Sequence, residues 1–149
     1  MRLHLRTYAP DDFDTLCDID KACYEPVIAY SRREMRAYLN APGAECVIAE
    51  SAAEIAGFCI TAHQEGQAYI ITIDVLDAYR RHGVGTALLA ECEKRLIKQR
   101  VRVIALDTAT DNVSAIAFWQ KHGYRKLGVR KRYYPNGRDA FAMTKSIAP

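Results

Sequence analysis

The stretch YIITIDVLDAYRRHGVGTALLAECEK, Tyr69 to Lys94, decides the fold. Its opening residues Ile70, Ile71, Thr72, Ile73 and Val75 are β-branched and mostly apolar, which reads as a buried strand. Asp77, Arg80 and Arg81 then lead into Gly83 and Gly85. From Val84 the spacing turns helical, with Val84, Leu88, Cys92 and Leu96 on one face and Glu91, Lys94 and Arg95 towards solvent. The segment is a strand, a basic glycine loop and a helix.

That order suits an anion. The first turn of a helix leaves backbone N–H groups unpaired and carries partial positive charge, and Gly83 and Gly85 remove side chains that would shield those donors. Arg80 and Arg81 add full charge, so the expected ligand is a phosphate or pyrophosphate. A P-loop would need four residues between its glycines and a following Lys-Ser or Lys-Thr, which are absent. A Rossmann turn would carry a third glycine at Leu88 and open the domain, although Asp107 falls near the distance of a ribose-binding acid and keeps that reading open. A glycine-opened helix with a solvated basic end is the remaining reading of the loop alone.

With 149 residues the chain is expected to form one domain, 1–149, with a real core. Half of its residues are hydrophobic and 26% are charged, as in ordinary globular proteins. A net charge of +3 suits an anionic ligand, but no basic run indicates a nucleic-acid surface. The N-terminus has no long apolar segment, so neither leader nor membrane span is expected. Five scattered cysteines without a C-x-x-C pair read as core residues in a reducing cytoplasm, free of disulfides and zinc. His4, His63, His82 and His122 lack metal-ligand spacing, so no metal is expected.

Along the chain, Met1 to Tyr8 alternates as a first strand, and Pro10 with Asp11 opens a helix buried through Phe13, Leu16, Cys17 and Cys23. After a loop from Tyr24 to Tyr30, Ser31 and Glu34 form a capping box for a short helix that stops at Asn40 to Gly43. Cys46 to Glu50 and Ile55 to Ala62 read as a hairpin leading into the central strand. Beyond the central helix come a strand, Val101 to Leu106, a helix, Asn112 to Lys121, and a hairpin of Tyr124 to Tyr134 with Ala140 to Thr144, turned at Asn136-Gly137. The order is that of an α/β sandwich with a mixed central sheet of about seven strands and about four helices.

The run R-R-H-G-V-G-T-A, Arg80 to Ala87, resembles the pyrophosphate loop of the GNAT superfamily of acyl-CoA-dependent N-acetyltransferases, whose element order is also the one above. Leu106 to Tyr124 looks like the family segment closing over the thioester. Lys131 to Met143 is similar to the last hairpin of amino-terminal protein acetyltransferases, notably the ribosomal-protein-alanine branch. The resemblance implies acetyl-CoA as cosubstrate, held by Arg80, Arg81, His82, Gly83, Val84, Gly85 and Thr86, with Asn112 assisting. It also implies oxyanion donors on a splayed central strand, the amides near Ile73 and Val75. Asp107 stands where the bacterial branch has a glutamate base, and Tyr69 where some relatives have a catalytic tyrosine. Tyr133 and Tyr134 would lie beside the acceptor, and Glu25 and Tyr30 fall in the loop that faces it. For Tyr69 and the Tyr133 pair, ordinary strand aromatics are the competing reading, and for Glu25 and Tyr30 a solvated loop.

Two departures bear on mechanism. Asp107 is shorter than the family glutamate and would reach its proton through a water. Trp119 replaces the usual thiolate-protonating tyrosine; an indole N–H cannot serve as that acid, so Trp119 is expected to pack in the core or against the pantetheine arm. Weak acid–base equipment favours an easily deprotonated acceptor. At pH 7 an α-amine is about 10% neutral and a lysine about 0.04%, a difference of about 3 kcal/mol. The expected function is acetyl transfer to a protein or peptide amino terminus. A small-molecule amine acceptor is the first alternative, and a non-catalytic acyl-CoA sensor or interaction module is the second.

Overall fold

The computed structural model describes residues 2–147. Its centre is a seven-stranded sheet in the order β1-β2-β3-β4-β5-β7-β6. The strands are β1 His4–Thr7, β2 Ala44–Ser51, β3 Glu54–Gln64, β4 Gln67–Val75, β5 Val103–Ala109, β6 Arg125–Arg130 and β7 Ala140–Ser146. Helices α1 Phe13–Cys23 and α2 Arg32–Leu39 cover one face, and α3 Val84–Lys98 and α4 Val113–Lys121 the other. Neighbouring strands are antiparallel except β4 and β5, which run parallel and are joined through α3. The single parallel contact follows from the crossover helix, which carries the chain back over the sheet.

Each face has its own core. On the α3 side, Val84, Leu88, Leu89, Cys92 and Leu96 pack with Cys59, Ile70, Ile104, Leu106, Trp119 and Met143. On the α1 side, Phe13, Leu16, Cys17, Ile19 and Met35 pack with Ile48, Phe58 and Ile60. The helical stripe expected from Val84 onwards is the buried one, with Leu89 added. The expected capping box also forms: Ser31 Oγ accepts from the Glu34 N–H at 3.1 Å, and Glu34 Oε1 from the Ser31 N–H at 2.9 Å. The five cysteines are free thiols, four of them buried. Among the described residues no helix is long and apolar enough to cross a membrane.

Several boundaries differ from the sequence reading; β5, for one, runs Val103–Ala109 instead of Val101–Leu106. The first strand starts at His4, Met1 lying outside the described residues. The closing hairpin is wider than expected, because β6 ends at Arg130 and residues 131–139 form a loop. Arg132 has φ +51°, its N–H donates to Asp139 Oδ1 at 2.9 Å, and Pro135 has no N–H to offer a ladder. The turn itself lies where Asn136-Gly137 placed it, closed by the Gly137 N–H on Tyr134 O at 2.8 Å.

Leu88 is fully buried beneath the sheet. Leu88→Ala is expected to lower unfolding free energy by about 2–5 kcal/mol through lost burial and a residual cavity. Urea titration should show a lower midpoint with an unchanged slope; a loss under about 1 kcal/mol would contradict this packing.

Candidate active site

β4 and β5 pair only over Gln67–Tyr69 and Val103–Ala105, and then part. Opposite the parting, the β3–β4 register slips between Ile60 and Thr61, placing an extra residue at Ile71. A bulge of this kind bends and twists its strand, which turns β4 away from β5. The Leu76 N–H bonds to Ala56 O on β3, so by alternation Thr72 and Asp74 point their backbone groups to β3. Ile71, Ile73 and Val75 point theirs into the opening.

The carbonyls on that open edge are occupied by side chains. Tyr30 OH donates to Ile71 O at 3.3 Å and Tyr24 OH to Ile73 O at 3.3 Å. Cys23 Sγ, at 3.4 Å, and Arg80 Nε, at 3.1 Å, meet Val75 O. Burial holds both tyrosine phenols well above their ordinary range, so they stay protonated donors. The amides of Ile73 and Val75 share the edge with these carbonyls and have no ladder partner.

At the mouth of the opening lies the basic loop. The first internal bond of α3 runs from the Ala87 N–H to Gly83 O at 2.9 Å, leaving the amides of Val84, Gly85 and Thr86 unpaired within the helix. The two glycines serve different needs. Gly83 has φ +78°, and a Cβ there would touch nothing within 4 Å, so its requirement is conformational. Gly85 carries no positive φ, and a Cβ would lie 3.3 Å from the Phe118 ring, so it lets α3 approach α4. Arg80 is partly committed, to Val75 O and to Asp77 at 3.2 Å, whereas Arg81 and His82 are exposed. Val84 contributes only its amide, its side chain being core. Thr86 Oγ1 meets His122 Nε2 at 3.1 Å.

Near the vertex, Tyr69 and Asp107 meet, on the face that carries α1. Tyr69 OH donates to Asp107 Oδ2 at 2.5 Å, and the Asp107 side chain is only 5% exposed. Burial, then the bond to Asp107, holds the Tyr69 phenol well above its ordinary range. Arg130 Nε donates to Asp107 Oδ1 at 2.7 Å, so both carboxylate oxygens are engaged. Tyr133 OH lies 3.4 Å from Tyr69 OH, and Tyr134 OH donates to Asp107 O at 3.4 Å. Burial pushes the Tyr134 phenol up to about 12. Glu25 Oε1 accepts from Asn136 Nδ2 at 2.7 Å, tying the 24–31 loop to the 131–139 loop beside this cluster.

Arg130 was not among the expected site residues. Its signal lay in the register: Asp107 pairs with Ala142, Ala142 with Gly128 and Ala140 with Arg130. Alternation puts Asp107, Ala142, Ala140 and Arg130 on one face, and the alanines on β7 are small enough for the arginine to reach across. Trp119 is 5% exposed and packs edge-on to Phe118 and Tyr124, taking the core placement that was one of the two expected for it. Tyr133 and Tyr134 lie in a loop, not a strand. Tyr30 does not face an acceptor through its hydroxyl, which is bound to β4. Asn112 Oδ1 caps α4, accepting from the Ala115 N–H at 3.1 Å.

Residues 13–124 match the acetyltransferase (GNAT) family. The chain belongs to that family. Among individual GNAT relatives, it is 34% identical over 98 residues to the [ribosomal protein bS18]-alanine N-acetyltransferase of Escherichia coli, covering 64% of this chain and 66% of that one. It is 34% identical over 80 residues to an N-alpha-acetyltransferase of Saccharolobus solfataricus, covering 53% and 48%. The crystal structure of the E. coli ribosomal-protein-S18-alanine N-acetyltransferase superposes with a TM-score of 0.91 at 23% identity, over 99% of this chain and 96% of that one. The chain spans about half the length of the curated relatives it matches first, from 39% to 48%.

Within this GNAT cluster, removing the hydroxyl that satisfies Asp107 Oδ2 should leave a nearly buried carboxylate oxygen unpaired. Tyr69→Phe is expected to destabilise the fold by about 1–3 kcal/mol, read from denaturant midpoints, while leaving the far-ultraviolet circular dichroism unchanged. No loss would mean that the bond is not formed in solution.

Proposed function

We propose that this protein transfers an acetyl group from acetyl-CoA to a primary amine by direct attack, the acceptor being the amino terminus of a peptide or protein. One observation carries the reading: the opening between β4 and β5, with free helix amides at its mouth and the Tyr69–Asp107 pair near its vertex. The donor set fits a diphosphate, since the amides of Val84, Gly85 and Thr86 are turned outward beside the cations of Arg80 and Arg81. His82 completes the loop. Names of two relatives, one N-alpha-acetyltransferase and one alanine N-acetyltransferase, support an α-amine as acceptor.

Acetyl-CoA supplies an activated thioester. The amides of Ile73 and Val75 are the donors available to its carbonyl oxygen as negative charge develops there. Asp107 takes the acceptor's proton, through a water because its carboxylate is short, and Arg130 must first give up Oδ1. Tyr69 stays protonated and fixes Oδ2. The new bond joins the amine nitrogen to the acetyl carbon as the carbon–sulfur bond breaks. A thiolate resembling that of cysteine, with a pKa of about 8.5, departs without a strong acid and recovers its proton from solvent, consistent with Trp119 in the core. Alignment of amine and thioester is therefore the main demand on the site. The loops bearing Glu25, Tyr133 and Tyr134 flank the acceptor. The free cysteines fit a reducing compartment, the cytoplasm.

Thioester consumption across peptides with free or blocked amino termini, free lysine and small amines tests the acceptor. Peptides with a free α-amine should be favoured, and turnover of small amines alone would overturn the assignment. Asp107→Asn should reduce kcat about 10²-fold or more while leaving acetyl-CoA affinity intact. Gly83→Val should weaken acetyl-CoA binding first, because it disfavours the left-handed turn that presents the amides.

A further inference from the structure

Two buried acids take no part in the chemistry above. Asp20, in the apolar stripe of α1, and Asp74, on β4 between Ile73 and Val75, are each 1% exposed. Each has one satisfied oxygen. Asp20 Oδ2 accepts the Tyr30 N–H at 2.7 Å, and Asp74 Oδ1 accepts the Thr72 hydroxyl at 2.5 Å. Asp20 Oδ1 and Asp74 Oδ2 are the two buried side-chain polar atoms without a donor among the described residues. The end of α1 is seated on β4 at this point, with Cys23 Sγ on Val75 O and Tyr24 OH 3.4 Å from the Thr72 hydroxyl that Asp74 holds, and the two carboxyls are close enough for Asp20 to raise Asp74. Two carboxylates cannot both be ionised at that range away from water, and one proton between the free oxygens both removes the repulsion and satisfies them.

The pair also holds the pieces that line the opening. Asp20 fixes Tyr30 by its amide, while Asp74 holds Thr72, whose Oγ1 lies 3.4 Å from Tyr24 OH. Those tyrosines are the ones whose hydroxyls sit on Ile71 O and Ile73 O. We propose that Asp20 and Asp74 share a single proton and act as positioning residues, keeping the 24–30 loop seated along the open edge of β4 where the acceptor is aligned. The kinetic half of this inference rests on the acetyl-transfer reading; the proton sharing does not.

The titratable groups around Asp74 are Cys23, Tyr24 and Tyr30 from the α1 end and its loop, Cys46 on β2, Cys59 on β3, and Arg80 beyond β4. The thiols and phenols are raised, for Cys59 first by the neighbouring Cys92 thiol and otherwise chiefly by burial, so they stay neutral. Arg80 and Thr72 favour the ionised form of Asp74, but burial and the Asp20 carboxyl outweigh them and hold Asp74 well above the usual carboxylate range. An acid raised in the folded state stabilises the fold fully below the ordinary carboxylate range. That contribution is lost as pH rises through the folded value.

Asp74→Asn replaces the shared proton by an amide N–H that does not titrate, and Asp74→Ala removes the partner. Melting temperatures of wild type and both variants between about pH 5 and about pH 9 should show Asn gaining on wild type as pH rises, with Ala lowest throughout. The acceptor KM of wild type relative to Asp74→Asn should climb about threefold or more over the same range, at constant acetyl-CoA KM. Exchange of the Tyr30 amide should quicken with pH beyond its intrinsic rate in wild type but not in Asp74→Asn. A pH-independent gap, or Asn as damaging as Ala, overturns the proton sharing; an unmoved acceptor KM with an unmoved Tyr30 amide overturns the positioning. If Asp74→Asn fails to fold, Asp20→Asn carries the same comparison. Should wild type acetylate no peptide, the acetyl-transfer reading fails, and melting together with Tyr30 exchange decides the pair.

Discussion

An extended strand whose edge faces no neighbour must find other partners for its backbone, and β4 beyond Tyr69 is in that position. Buried carbonyls left bare are costly, so Ile71, Ile73 and Val75 each receive a side-chain donor from the α1 end or from the loop after β4. These donors satisfy oxygens and leave nitrogens. The result is a row of unpaired amides inside a fold that is otherwise well bonded, and it exists only because the bulge at Ile71 stops β5 from completing the sheet. Tyrosine is suited to this task, since its ring fills the opening's wall while its hydroxyl spans to the strand.

The same opening organises the charge. The amides at the start of α3 and the cations of the basic loop lie at its mouth, and the acidic chemistry near its vertex, where Tyr69 and Arg130 compete for nothing and share Asp107 between them. A carboxylate bound on both oxygens is well placed, and one partner must leave before a proton can take its position. This division suits an acceptor that already loses its proton readily, because such a reaction needs orientation and oxyanion donors more than a strong base.

Much of this was legible in the sequence where the signal was local. The strand, glycine loop and helix from Tyr69 to Lys94, the Ser31–Glu34 box and the Asn136-Gly137 turn all depend on residues a few positions apart. What escaped depended on distant pairing. The parting of β4 from β5 has no mark in either strand and was expected only through the family resemblance. Arg130 reads as one more surface cation until the register places it over Ala140 and Ala142. Asp20 falls at helical spacing on the stripe of Phe13, Leu16 and Cys17, but its company inside, the Tyr30 amide and a carboxyl on β4, comes from other elements. Tyr133 and Tyr134 follow strand propensity in sequence, but the αL residue at Arg132 and the proline after them end the ladder first. Gly85 was legible as a glycine, but the Phe118 ring that also requires it comes from another helix.

On the intervening strand the register places the methyl groups of Ala140 and Ala142 between a guanidinium on an edge strand and a carboxylate two strands inward. Neither alanine takes part in any reaction. Yet a residue with one more branch at either position would stand in that path, break the ion pair and free one oxygen of the carboxylate. Reactivity can thus be retuned from a silent strand, with every chemically active residue left in place.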